Sequence, residues 1–137
     1  MEKTLILCPA ILMVVLTLFL YVKNYLDNVK ATKNRALHFS YFKAYQGEVP
    51  EHIKVSRQTL KNQFELPILF YFLISLILIF DTVSKIDLIL TWLFVASRYI
   101  HCYIRLSSNH VPHRAKTFVL GLFILIACWI NFLLNIF

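Results

Sequence analysis

Asn62 and Glu65 stand three residues apart where a long apolar run begins, and Arg98, His101, Cys102 and Arg105 follow i, i+3, i+4 and i+7 inside another. On helices, each set shares one face. In hydrocarbon a lone charge at the centre of a span costs at least about 2.5–3.5 kcal/mol, so such residues turn toward a bundle interior, a watery cavity or a ligand. Arg98 lies well inside its run, whereas Arg105 is close enough to the end to snorkel. Glu65 is the acid embedded in an apolar flank of the earlier run and is the obvious partner for Arg98. A buried Glu65–Arg98 pair could fix helix packing, or both residues could hold a ligand; the two roles can coexist.

A third set follows: Ser107-Ser108-Asn109-His110-Val111-Pro112-His113-Arg114. His110 and His113, with His101 and Glu65, have the residue types of a metal site, but the segment adds no further carboxylate and no Cys. No metal is expected. Arginines and histidines flanking a proline turn instead make an anion site. Cys8, Cys102 and Cys128 are odd in number, widely spaced and inside apolar segments, which fits neither a disulfide framework nor a zinc motif. They read as small apolar fillers.

The elements that must position these residues are membrane helices. The chain is 59% hydrophobic and 15% charged, with 2 glycines and a mean hydropathy of +0.68. A soluble domain is about 45–50% apolar, and few glycines without alternating polarity argue against a transmembrane barrel. Four apolar stretches, roughly 5–22, 66–80, 86–106 and 117–137, approach the ~20 residues that a span requires once their flanks are counted. The pattern predicts an all-α membrane protein, one four-transmembrane-helix bundle over 1–137. Its helices are expected at roughly 4–23, 62–80, 86–106 and 117–136, with a cytoplasmic loop over 24–61. The short connection 81–87 predicts an antiparallel pair of the second and third helices. Pro67 is expected to kink the second helix or to mark the start of its lipid-embedded part. No small-x-small site follows the first stretch, so it reads as a retained helix rather than a signal peptide.

Charge orients the bundle. Lys23, Lys30, Lys33, Arg35, Lys43, Lys54, Arg57 and Lys61 fall between the first two stretches, and Arg105, Arg114 and Lys116 where the third joins the fourth. The positive-inside rule makes both basic loops cytoplasmic and both termini non-cytoplasmic. The net charge of +7 is then a basic rim beside lipid headgroups, or a field that draws an anionic substrate. It gives no reason to expect nucleic acid.

Asn-x-x-Glu at 62–65, Arg-x-x-His at 98–101 and Pro-x-Arg at 112–114, in that order on a four-span chain, resemble the MAPEG family of membrane-associated proteins in eicosanoid and glutathione metabolism. The fuller stretches 62–71, 98–101 and 109–114 look most like its bacterial branch, in an inner membrane. The resemblance covers nearly the whole chain. It implies a homotrimer with glutathione as co-substrate, bound between subunits at the cytoplasmic side, and lipophilic small molecules as second substrates. Carried over by motif, Asn62 and Glu65 hold glutathione, with Glu65 accepting its amino group; Arg98 and His101 match the third-helix pair. Arg114 matches the arginine that stabilises the thiolate. This is sound chemistry, because a thiol of pKa near 8.5 needs a neighbouring cation to ionise at neutral pH.

The departures from the family pattern narrow the function. Lys61 precedes Asn62 where some eicosanoid-forming members have Arg, Arg57 can supply a fork one residue further away, and Arg105 replaces a common Tyr. Ala115 and Phe118 stand where prostaglandin-forming members carry hydroxyls. The expected function is a glutathione-dependent transferase or peroxidase for lipophilic electrophiles, with Arg114 catalytic. Arg57, Lys61, Asn62, Glu65, Arg98, His101 and Arg105 are its expected binding residues. The alternative is a non-catalytic trimer of the same fold, structural or binding another anion.

Overall fold

The computed structural model describes the backbone of residues 2–137 and the side-chain surroundings of residues 4–137. In chain order come α1 (Glu2–Lys33), α2 (Tyr41–Ala44), α3 (Glu51–Lys61), a 3-10 turn (Asn62–Phe64), α4 (Leu66–Ile79), α5 (Lys85–Leu106) and α6 (Val111–Ile136). Among the described residues, three helical stretches are long and apolar enough to cross a membrane: Thr4–Lys33, Glu51–Ile79 and Val111–Ile136. At a rise of 1.5 Å per residue, the fourth long helix, α5, reaches about 33 Å and also matches the hydrocarbon thickness. Its lower hydropathy comes from polar residues that it buries: Asp87, Thr91, Ser97, Arg98, His101 and Arg105. The protein is an all-α membrane bundle of four long helices.

Two boundaries differ from the sequence reading. The first helix does not end near residue 23 but continues to Lys33. The segment 24–61 is therefore not a simple loop. The end of α1, α2 and α3 form a small polar-end unit closed over Ala31, Leu37, Tyr41 and Ile53. The second span is also broken. Residues 62–64 form a 3-10 turn, and Glu65 takes φ −107° and ψ −103° before α4 begins. Pro67 supplies the reason: it has no N–H, and its ring would strike the carbonyl of Gln63 if one helix ran through. Instead it sits in the first turn of α4, where its missing donor costs nothing.

Helix pairing differs as well. The second and third long helices are not the closely packed pair. The shorter connection is 107–110, and α5 packs most extensively against α6. Gly121 on α6 permits that approach, since a Cβ there would come within 2.9 Å of Ser97 Oγ on α5. By contrast α4 lies mainly on α6 and α1 and meets α5 through Phe70 stacked on Phe94, with centroids 4.7 Å apart. Those rings join Ile6, Met13, Leu20, Leu73, Ile77, Leu125, Cys128 and Phe132 in the main core. Cys102 and Cys128 are buried as the filler reading expects, but Cys8 is exposed on α1.

At the end of the bundle formed by the α4–α5 turn, Ser84 and Asp87 make a reciprocal capping box. Asn131 on α6 donates to Asp87 Oδ1 at 2.7 Å and to Ser84 Oγ at 3.3 Å. The buried carboxylate thus has donors from its own helix cap and from α6, which locks the far end of the α5–α6 pair.

Candidate functional site

The other polar cluster lies at the basic end, where α3, the 3-10 turn, the last turns of α5 and the first turn of α6 converge. The 3.6-residue period of α5 sets Arg98, His101, Cys102 and Arg105 on one face, and all four are buried. Arg105 is held at the rim: Nη2 donates to Gln58 Oε1 at 2.7 Å, and with the Asn62 amide assigned in the orientation that satisfies both its neighbours, Nη1 donates to the Asn62 amide oxygen at 3.2 Å. The Asn62 amide nitrogen in turn donates to the Gln58 backbone carbonyl at 3.1 Å. Asn62 therefore points inward and ties the end of α3 to α5.

His101 reaches α6, with Nδ1 3.1 Å from the Arg114 carbonyl oxygen and 3.3 Å from Thr117 Oγ1. A carbonyl can only accept, so Nδ1 carries the proton and Nε2 presents a lone pair. That buried Nε2 has no partner among the described residues. Arg114 is half-buried in the first turn of α6, and its Nη1 donates to Asn109 Oδ1 at 2.8 Å. Asn109 adopts the left-handed conformation, φ 49°, which Asn tolerates better than most residues. His101 lies within electrostatic reach of Arg98, Arg105 and Arg114.

Arg98 is the most unusual residue. It is 0% exposed, yet Nε, Nη1 and Nη2 all lack a hydrogen-bond partner among the described residues. Its guanidinium lies 5.3 Å from the centroid of Phe118 and passes over Gly121, whose hypothetical Cβ would sit 3.5 Å from Nη1. Phe118 also packs on His101, at 5.8 Å between centroids. The expected Glu65–Arg98 pair does not form. Glu65 is exposed and makes no ion pair among the described residues, although its charge acts on Arg98 and Arg105 at longer range. The break at 62–65 is the physical reason, because Asn62 and Glu65 no longer share one continuous helical face.

Several residues here were not foreseen. Gln63 is 2% exposed; its amide donates to Cys102 Sγ at 3.4 Å, and its Oε1 has no partner. Gln58, Asn109 and Thr117 supply the acceptors and donors that hold Arg105, Arg114 and His101. Gln58 lies one turn before Asn62 and had that signal; for Gln63, Asn109 and Thr117 sequence spacing offers none. Arg57 and Lys61 do not join Arg98. They line a separate pocket with Tyr41, Tyr45 and Lys54, and Gln58, which holds Arg105, lines it too. His110 and His113 pack ring on ring at 4.6 Å. No group of three His, Cys, Asp or Glu close enough to hold a metal occurs among the described residues.

Four long helices, an apolar exterior and polar residues gathered at the ends define a polytopic α-helical membrane protein with a cationic site at its basic end. The MAPEG family model matches residues 6–134, nearly the whole chain, and the chain belongs to that family. No curated protein and no solved structure matches it.

Proposed function

We infer that this protein is a glutathione-dependent transferase or peroxidase for lipophilic electrophiles, binding glutathione as co-substrate at the cytoplasmic end of a homotrimer. The observation that carries the reading is Arg98. A fully buried guanidinium with three unpartnered nitrogens is costly on its own and becomes favourable when it meets an anion. Its five-donor fork matches a carboxylate, and glutathione has two. Gln63 Oε1 and His101 Nε2 add buried acceptors nearby, suited to the amide N–H groups of a tripeptide. Glu65 is exposed at the same end, and its carboxylate can accept an ammonium group arriving from outside the single chain.

Arg114 is the residue for the sulfur. Asn109 holds one of its nitrogens, and the guanidinium keeps donors free to stabilise a thiolate. In the transferase reaction that sulfur attacks an electrophilic carbon, a C–S bond forms and a leaving group departs with the displaced electron pair. In the peroxidase reaction two glutathione thiols are oxidised to the disulfide while a hydroperoxide becomes an alcohol and water. The bilayer delivers and concentrates apolar second substrates. Both termini would be non-cytoplasmic in a bacterial inner membrane, as the basic end faces the cytoplasm.

Phe118 favours a second reading. It packs on both Arg98 and His101 without a hydroxyl, so the cluster could be a packing device in a non-catalytic trimer. A conjugation assay with glutathione and 1-chloro-2,4-dinitrobenzene, run beside glutathione-dependent melting, separates the two. Turnover with a stabilising shift supports the enzyme. No turnover and no shift at millimolar glutathione supports the non-catalytic protein.

A further inference from the structure

One face of α3 carries Lys54, Arg57, Gln58 and Lys61 at i, i+3, i+4 and i+7. That spacing aims all four side chains the same way, and here they form one wall of a pocket of about 320 Å³. Tyr41, Tyr45, Gly47 and Val49 form the other wall. The second wall is held in place: Tyr41 is buried in the small core with Ala31, Leu37 and Ile53, and the Tyr45 N–H closes α2 on the Tyr41 carbonyl at 2.7 Å. Tyr45 takes φ 54°, and Gly47 takes φ 112°. A non-glycine residue in the left-handed region costs local energy, and such strain recurs where a loop is shaped for a ligand.

Charge in this pocket is one-sided. Three cations line it and no carboxylate does. Among the described residues none of the three makes an ion pair; the Lys23–Asp27 pair is elsewhere, on α1. Arg57 is also oriented, with Cζ 3.7 Å from the Tyr45 ring centroid. Stacking uses the face of a guanidinium and leaves its edge donors free for two oxygens at once. Pockets of this size fall at the lower end of small-molecule sites.

We propose that the pocket between α3 and the α2 turn binds a phosphate monoester through Lys54, Arg57 and Lys61, a site separate from the buried Arg98 cluster. A single carboxylate would neutralise only one of three converging cations. A phosphate monoester carries about −1.5 to −2 charge with three strong acceptor oxygens, and Arg57 can grip two of those oxygens while the lysines neutralise the rest. The pocket also lies beside the start of an apolar span, a level that suits lipid headgroups, because Lys61 is followed within one turn by the break at 62–65 and then by the exposed apolar Ile68 and Leu69 of α4. The monoester can therefore come from a lipid headgroup such as phosphatidic acid or from a small soluble phosphate.

The test uses the full-length protein in phosphatidylcholine nanodiscs, with no glutathione present. Native mass spectrometry compares retention of phosphatidic acid with that of phosphatidylglycerol, an anionic diester that still meets a general basic rim but lacks the monoester's second charge and third terminal oxygen. Phosphorus NMR line broadening in the same nanodiscs reads binding of glycerol 3-phosphate. Wild type should retain phosphatidic acid at least about tenfold better than phosphatidylglycerol if the lipid is the source, since charge-assisted hydrogen bonds to the extra oxygen are lost in the diester. Equal lipid retention with glycerol 3-phosphate broadening assigns the soluble source. In either case Arg57→Ala and Lys61→Ala should abolish the signal, and Arg57→Lys should restore part of it. Lys61→Ala alters one exposed side chain and serves if Arg57→Ala does not fold. Equal retention of the two lipids without glycerol 3-phosphate binding, or selectivity that survives Lys61→Ala, overturns the proposal.

Discussion

At the residue scale, Arg98 leads to an outcome opposite to that of a paired charge. Removing one member of a buried ion pair destabilises by about 3–5 kcal/mol, whereas an unpaired buried charge carries a desolvation cost that nothing offsets, so exchanging it for a packed apolar side chain should be neutral or stabilising. Arg98→Met keeps length and fills the space over Gly121. It should melt at or above the wild-type temperature without glutathione and should lose the glutathione-induced shift. A lower melting temperature without ligand would mean that Arg98 is satisfied within the assembly, and an intact glutathione shift would remove it from the binding site. Arg114 makes a different prediction, because on the proposed function its charge would act as the sulfur becomes anionic. Arg114→Ala should lower kcat and kcat/KM together, with Arg114→Lys recovering part through charge alone. Glu65→Gln should instead raise the KM for glutathione. Full turnover in a folded, assembled Arg114→Ala protein would reduce Arg114 to a headgroup anchor beside Lys116.

At the element scale, the α5–α6 pair is the rigid frame of the site. Gly121 sets its spacing at one level, and the Asp87–Asn131 contact closes its far end. Gly121→Ala should push Ser97 Oγ aside while leaving Arg98 Nη1 at ordinary contact distance, costing about 1–3 kcal/mol as overpacking usually does. Ser97→Ala on that background removes the atom 2.9 Å from the new methyl and should recover most of the loss in a melting double-mutant cycle. Additive effects would show that the two residues are not coupled. The break at 62–65 belongs to this scale too. It lets Asn62 turn inward while Glu65 turns outward, so one short stretch faces both the interior and the outside of its own chain.

At the scale of the whole molecule, α1 is about 48 Å long by its 32 residues, well beyond a ~30 Å hydrocarbon core. Its end therefore stands outside the bilayer and carries α2 with it. A trimer would cover part of the exposed apolar surface, which includes Ile11, Leu18, Phe72 and Leu134. Native mass spectrometry from mild detergent should give a trimer, and a monodisperse monomer would remove an inter-subunit site. Reporter fusions at Phe137 should be active only on the non-cytoplasmic side. Cytoplasmic activity there would invert the bundle and detach the site from cytosolic glutathione.

The membrane class, the long helices and the polar stripe of α5 were legible in the residues alone. Hydropathy over ~20 residues and the 3.6-residue period are local properties, and lipid enforces them strictly by leaving no water for a stray backbone group. The basic end was legible for the same reason, as lysine and arginine cannot be spread evenly across a bilayer. Partnership was not. Whether Arg98 meets Glu65 depends on how Pro67 breaks the chain at 62–65, which turns one side chain in and the other out. That Arg105 rests on Gln58, and Gln63 on Cys102, depends on contacts 47 and 39 residues apart in the chain. The close approach of Ser97 on α5 to α6 depends on the missing side chain at Gly121. Long-range contacts of this kind are set by the shape of packed surfaces, and no period in the sequence encodes them.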